Sequence, residues 1–192
     1  MKVDPDRELV QRARAGERSA FDQLVARYQR RLLRLVLRLL RDQAEAEDVV
    51  QETFLKAYRA LPRFRGEAAF FTWLYRIALN GARNAILRRR QRTGPLGAVP
   101  SQLPAQGPET GTPESMLLSK QVMQAIDAAL EALPLDLRTA IVLREIEGLS
   151  YEEIAQIMEC PLGTVRSRIF RAREAIARRV RPLLDLPVDK RW

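Results

Sequence analysis

Histidine is absent from this 192-residue chain, and cysteine occurs once, at Cys160. Without histidine there is no Ser-His or Cys-His catalytic pair and no histidine-ligated metal site. A single cysteine excludes an internal disulfide and a multi-cysteine zinc site, which fits a reducing compartment. Long apolar runs are missing as well: the most apolar stretch, Leu32 to Leu40, is interrupted by Arg34 and Arg38, and a membrane span needs about 18 apolar residues. No charged-then-apolar leader opens the chain, and neither a phosphate loop nor a clustered carboxylate pair is present. These absences point away from an enzyme and from a cofactor, and toward a soluble, cytoplasmic protein.

Charge is what the sequence has in excess. Lysine and arginine number 33 against 24 acidic residues, for a net of +9 and a pI near 10.5. A soluble chain of that balance has nucleic acid as its expected partner class. The charge is unevenly placed. Residues 1–92 carry a net of +10, 93–115 carry −2 and 116–192 carry +1. The last segment itself splits into −5 over 116–165 and +6 over 166–192. Residues 93–114 pack five prolines and four glycines into 22 positions, a density that forbids helix and supplies little apolar surface to pack. They read as a flexible linker, so three parts are expected: 1–92, the linker 93–115, and 116–192.

Both flanks read as helical, giving an all-α fold of two small domains. Leu9, Ala13, Phe21, Leu24, Val25, Tyr28, Leu32, Leu35 and Leu39 recur at spacings of three and four, as on one helical face. A second helix is expected from about Ala44 to Leu61, stopped by Pro62, and a third from about Ala68 to Arg90. After the linker the expected helices are Pro113–Ala132, Leu135–Glu147, Tyr151–Met158 and Pro161–Leu184, with Ser150 and Glu153 spaced as a capping box.

The last two helices, joined by a tight turn at Glu159–Gly163, have the spacing of a helix-turn-helix. Val165, Ile169, Ala172, Ile176, Val180 and Leu183 form its buried stripe. At 100° per residue Ser167 and Arg171 point away from that stripe near the helix start, where base edges are read, with Arg166 at its flank. An arginine there can bind guanine O6 and N7 bidentately. Arg168, Arg173, Arg178 and Arg179 are placed for phosphates. The plainer reading of these arginines is a solvated helix face. Phe170 speaks against it, because an exposed phenylalanine needs a reason. Cys160, in the turn, reads as a small buried apolar residue.

The N-terminal half holds five of the chain's twelve aromatics between Phe64 and Tyr75. Phe70, Leu74, Ile77 and Gly81 share a stripe, leaving Phe71, Trp73 or Tyr75 at its margins. On the opposite side Thr72, Arg76, Asn80, Arg83 and Asn84 align at helical spacing. Aromatic faces beside such donors suit unpaired bases; the alternative is that all the aromatics are core. Earlier in the chain, Val50, Phe54, Ala57, Tyr58 and Leu61 make a buried stripe, while Asp48, Gln51, Glu52, Leu55 and Arg59 lie on the other face. An acidic face in so basic a domain, with Leu55 in its middle, fits a protein partner. A solvated face is the alternative.

The runs from Asp48 to Leu61, Phe64 to Gly66 and Thr72 to Ala78 resemble region 2 of the extracytoplasmic-function (ECF) sigma factors. Leu133-Pro134, Arg138, Leu143-Arg144-Glu145, Gly148 to Ala155 and Gly163 to Arg168 resemble region 4. The likeness is strongest toward the sigma-E/AlgU envelope-stress branch, at FRGEAAFFTWLYRIA and GTVRSRIFRAREAI. The resemblance implies an RNA polymerase specificity subunit. Asp48, Gln51, Glu52 and Leu55 would dock on the β′ subunit of core polymerase. Phe64, Arg65 and Gly66 would lie in the loop that captures a flipped −10 base. Trp73, Arg76, Asn80, Arg83 and Asn84 would line the adjoining recognition helix. Thr164, Arg166, Ser167, Phe170 and Arg171 would read the −35 element. The linker would run toward the polymerase active-site channel, and a membrane-anchored anti-sigma factor would hold the protein inactive. The chain departs from its relatives at Gly81 and at Glu67-Ala68. Two other readings stay open. A free-standing helix-turn-helix repressor or activator explains only the C-terminal half. An RNA-binding adaptor leaves the tight turn unexplained.

Overall fold

The computed structural model describes residues 6–93 and 113–184. Among the described residues there are eight α-helices: α1 (Arg7–Arg14), α2 (Arg18–Leu40), α3 (Gln43–Ala60), α4 (Phe70–Thr93), α5 (Pro113–Ala132), α6 (Leu135–Glu145), α7 (Tyr151–Met158) and α8 (Leu162–Leu184). A single 3-10 turn, Leu61–Arg63, follows α3. Among the described residues there is no strand, and no helix is long and apolar enough to cross a membrane. The chain divides into two compact units, the first built around α1–α4 and including Gln156–Glu159, the second around α5, α6, the start of α7 and α8. Most of the proline-rich segment, and with it the linker reading, lies outside the described residues.

In the first unit α2 is the central helix. Its Leu24, Leu32, Leu35 and Leu39 are buried against α1, α3 and α4 together with Phe54, Ala57, Phe70, Leu74 and Tyr75. Each such leucine contributes roughly 1.5–3 kcal/mol by leaving water. The three-and-four periodicity that starts at Leu9 is not one helix. It breaks at Ala15–Glu17, where Gly16 adopts φ +96°, a conformation open only to glycine at little cost. Glu17 then accepts hydrogen bonds from the Arg12 guanidinium and the Ser19 hydroxyl, fixing the bend. The buried carboxylate of Asp6 accepts from Arg27 and from the Tyr28 hydroxyl, pinning the start of α1 to α2. At the head of α3, Asp42 accepts from the Glu45 backbone N–H at 2.8 Å, a standard N-cap.

The α3–α4 crossing explains Gly81. A Cβ built there would stand 3.0 Å from Val49 Cγ1, so the missing side chain allows the two backbones to approach closely. Three helical-wheel expectations need correction. Tyr58 is 48% exposed, not part of the buried stripe, although its ring stays 5.0 Å from Phe21. Tyr75, expected at the margin of its helix, is fully buried, and Thr72 is buried too, leaving the polar row it was assigned to.

In the second unit five consecutive residues of α6, Thr139 to Leu143, are buried. They pack against α8, whose Val165, Ile169, Ala172 and Val180 are buried, and Leu149 and Ile154 are buried as well. Ile176 and Leu183, assigned to that stripe, are only half-buried. The capping box is formed: the Ser150 N–H donates to Glu153 Oε2 at 2.8 Å, and the Glu153 N–H donates to Ser150 Oγ at 3.2 Å. Arg144 bridges the α6–α7 turn, donating to the Leu149 carbonyl at 2.8 Å while lying 4.9 Å from the Tyr151 ring centre.

Candidate nucleic-acid and protein interfaces

The turn between α7 and α8 is closed by Glu159 in the left-handed region, φ +52°, and by a 3.1 Å hydrogen bond from the Cys160 N–H to the Ala155 carbonyl. Thr164 and Val165 N–H groups donate to the Pro161 carbonyl, so the proline begins the helix where its missing donor costs nothing. Val165, Ile169 and Ala172 face the core. Arg166, Ser167, Phe170 and Arg171 are exposed, and Thr164 is half-buried beside them. Phe170 is 67% exposed, the largest exposure among the large hydrophobic side chains described. Ser167 Oγ donates to the Thr164 carbonyl at 2.9 Å.

The arginines of α8 fall into two groups that the helical wheel does not separate. Arg168 pairs with Asp136 at 2.6 Å, Arg173 with Glu145 at 2.6 Å and Arg178 with Glu174 at 2.9 Å. The Arg173 guanidinium is held charged above its usual range, first by its hydrogen bond to Glu145. Three of the four residues expected to meet phosphates therefore have carboxylate partners inside the protein. Among the described residues, Arg166 and Arg171 have none. Cys160 is half-buried rather than buried, and its Sγ accepts from Arg168 Nη1 at 3.5 Å.

In the first unit the loop after α3 carries Phe64, half-buried, with Arg65 and Gly66 exposed and Gly66 at φ +74°. The Phe64 ring centre lies 4.8 Å from Trp73 and 6.2 Å from Phe70, edge-on to the latter. Phe70 continues the series to Tyr28 at 5.9 Å. The aromatics thus form one cluster running from the core to the surface, with Trp73 and Phe64 at its outer end. Arg65 lies 3.7 Å from Glu67, both well exposed. Along α4, Asn80 and Asn84 are exposed, while Arg76 and Arg83 are half-buried.

On α3, Asp48, Gln51, Glu52 and Leu55 are all exposed, Leu55 by 56%. Glu52 pairs with Lys56 at 2.9 Å, and that hydrogen bond is the first cause of its lowered pKa. A groove of about 520 Å³ runs beside this face, lined by Glu45, Asp48, Glu52, Ala85, Arg88 and Gln91. Sequence reasoning found the α3 face but missed the groove, because Arg88 and Gln91 come from α4. Among the described residues no cluster of His, Cys, Asp or Glu could hold a metal ion.

Residues 24–93 match the family model described as sigma-70 region 2, and residues 123–176 match that of sigma-70 region 4. The RNA polymerase sigma-H factor of Pseudomonas aeruginosa is 47% identical over 191 residues, covering 94% of this chain and 96% of that one. The ECF RNA polymerase sigma-E factor of Escherichia coli K12 is 50% identical over 184 residues, covering 93% and 96%. Among solved structures, the sigma factor RpoE of Bartonella quintana in complex with the anti-sigma factor NepR is 27% identical. It superposes with a TM-score of 0.66 over 86% of this chain and 97% of that one. The chain belongs to the sigma-70 family, in its extracytoplasmic-function group. It is accordingly a transcription initiation factor that works with core RNA polymerase on promoter DNA, not an enzyme.

Proposed function

We propose that the second unit reads the −35 element as duplex through Arg166, Ser167 and Arg171, with Phe170 and Thr164 against the same groove. The first unit then stabilises a flipped −10 base with Phe64, Arg65, Gly66 and Trp73, beside Arg76, Asn80, Arg83 and Asn84. The observation that carries this reading is the division of α8: among the described residues, its outward arginines nearest the helix start lack carboxylate partners, while Arg168, Arg173 and Arg178 have them. Base extrusion costs a few kcal/mol, and an aromatic cluster ending at the surface offers stacking of about 1–3 kcal/mol per base. Asp48, Gln51, Glu52 and Leu55 form the docking face for the β′ subunit. Residues 1–92 and 116–192 act as the two functional domains, with 93–115 between them. The relatives' names and the anti-sigma complex support a cytoplasmic regulator of envelope-stress genes held by an anti-sigma factor, itself anchored in the membrane.

Run-off transcription from an envelope-stress-type promoter tests the reading. Transcripts that need both core polymerase and this chain are expected, and Leu55→Asp is expected to abolish them without altering the helical circular-dichroism signal. Silence with both components, together with dimeric binding of the chain alone to duplex, would establish the free-standing repressor instead.

A further inference from the structure

Helix α2 carries a surface that none of these roles uses. From Gln23 to Arg41 it holds six arginines and no acidic residue. Arg30, Arg34 and Arg38 follow one another at i, i+4 and i+8, about 6 Å per step. They lie within about 80° of arc on the side away from the buried Leu32, Val36 and Leu39. Arg30 and Arg34 are exposed and Arg38 is half-buried.

On α3 and toward the end of α8, charges at this same spacing are compensated: Glu52 with Lys56, and Glu174 with Arg178. Some arginines of the first unit have carboxylate partners. Arg27 meets Asp6, Arg12 meets Glu17, and Arg89 lies 3.7 Å from Glu45 while donating to the Leu40 carbonyl at 3.1 Å. Among the described residues, Arg30, Arg34 and Arg38 have no carboxylate partner. Like charges at i, i+4 oppose helix formation about as much as opposite charges favour it. The row therefore weakens the helix that forms the centre of its unit, and an external anion would reverse that effect.

We infer that Arg30, Arg34 and Arg38 form a sequence-independent binding surface for the phosphate backbone of duplex DNA, separate from the residues that read bases. A row of evenly spaced guanidinium groups is complementary to a regular polyanion. A lipid surface fits less well. An interfacial helix buries large apolar side chains beside its cations, and none of the exposed large hydrophobic residues lies on α2. The inference rests on the reading of the chain as a promoter-binding subunit.

The test compares holoenzymes assembled from core polymerase with the full chain and with R30Q/R34Q/R38Q, on one promoter fragment at a series of salt concentrations. Binding constants against salt, on a logarithmic plot, lose about 0.9 of slope per phosphate contact removed. The variant is expected to be less steep by up to about 2.7, with discrimination between promoter and scrambled fragments unchanged. Its thermal midpoint is expected to be equal or higher, because the substitutions remove only repulsion. Equal slopes in two transcriptionally active holoenzymes would overturn the inference. So would loss of core binding, which would move the row to the polymerase interface. Loss of binding to phosphatidylglycerol vesicles at unchanged slope would overturn it in favour of a lipid surface. Failure of both holoenzymes to transcribe would instead refute the promoter-binding reading itself.

Discussion

On the proposed −35 reading, Arg171→Ala isolates base reading from every other role of α8. The side chain is exposed and lacks a carboxylate partner among the described residues, so its removal breaks no intramolecular contact that the structure shows. The expected change in folding stability is within about 0.5 kcal/mol. At the promoter, loss of a bidentate contact to one guanine is worth about 1–3 kcal/mol, or roughly 5- to 150-fold in affinity. That loss should fall on promoters with the preferred base at one −35 position and vanish when that base is already wrong. Arg173→Ala, two residues on, is the internal control. Its guanidinium meets Glu145 at 2.6 Å with both side chains about half exposed, a pair worth about 0–1 kcal/mol of stability. Its promoter effect should be small and uniform. Holoenzyme binding to a panel of singly substituted −35 duplexes, with thermal melting of each variant, measures both quantities. Uniform loss across the panel for Arg171→Ala would make it a phosphate contact and refute the reasoning. A fall in its melting point comparable to that of a core substitution would show a structural role.

Three further outcomes are expected. Gly81→Ala brings a methyl to 3.0 Å from Val49 Cγ1. It should gain little or lose stability in the wild-type background, yet gain about 0.5–1 kcal/mol of helix propensity in a Val49→Ala background; a denaturant double-mutant cycle with no coupling would show that the close approach is not the reason for glycine. Ser150→Ala removes the acceptor for the Glu153 N–H and should cost about 0.5–2 kcal/mol, read as a lowered urea midpoint at unchanged slope. Glu17 is held ionised down to about 2 by its hydrogen bonds from Arg12 and Ser19. A carboxylate whose folded pKa lies below its unfolded value stabilises the protein above about pH 4.5 and loses that contribution as pH falls toward 2. Acid titration of Glu17→Gln should therefore show a smaller loss of stability across that window than the parent chain, and equal losses would rule the contact out.

Much of this protein was legible because its signals are local. Helix ends are written in short spacings, as with Asp42 and Glu45 or Ser150 and Glu153, where one residue satisfies the orphan backbone donors of the next turn. The helix-turn-helix needs only a short apolar stripe, a proline and a basic helix in succession, and the outward position of Ser167, Phe170 and Arg171 follows from 100° per residue. The Gly16 bend was not read, because α1 and α2 share one apolar rhythm and the break depends on a single backbone angle. Tyr75 and Thr72 escaped the helical wheel because burial on α4 spreads well beyond a single stripe.

The sequence by itself determined the all-α class, the placement of most helices, the family and the face of α8 that looks outward, since each depends on residues within a few turns of one another. Tertiary structure decided which arginines of that face are free to meet DNA. Arg168 finds Asp136 across 32 residues and Arg173 finds Glu145 across 28. Pairings at that range are set by how α6 and α8 pack, and a guanidinium already matched to a carboxylate has lost much of what it could offer a phosphate or a base. In the first unit the packing of α3 and its following loop on α4 brings Phe64 onto Trp73 and Val49 onto Gly81, contacts between elements whose spacing along the chain carries no sign of them.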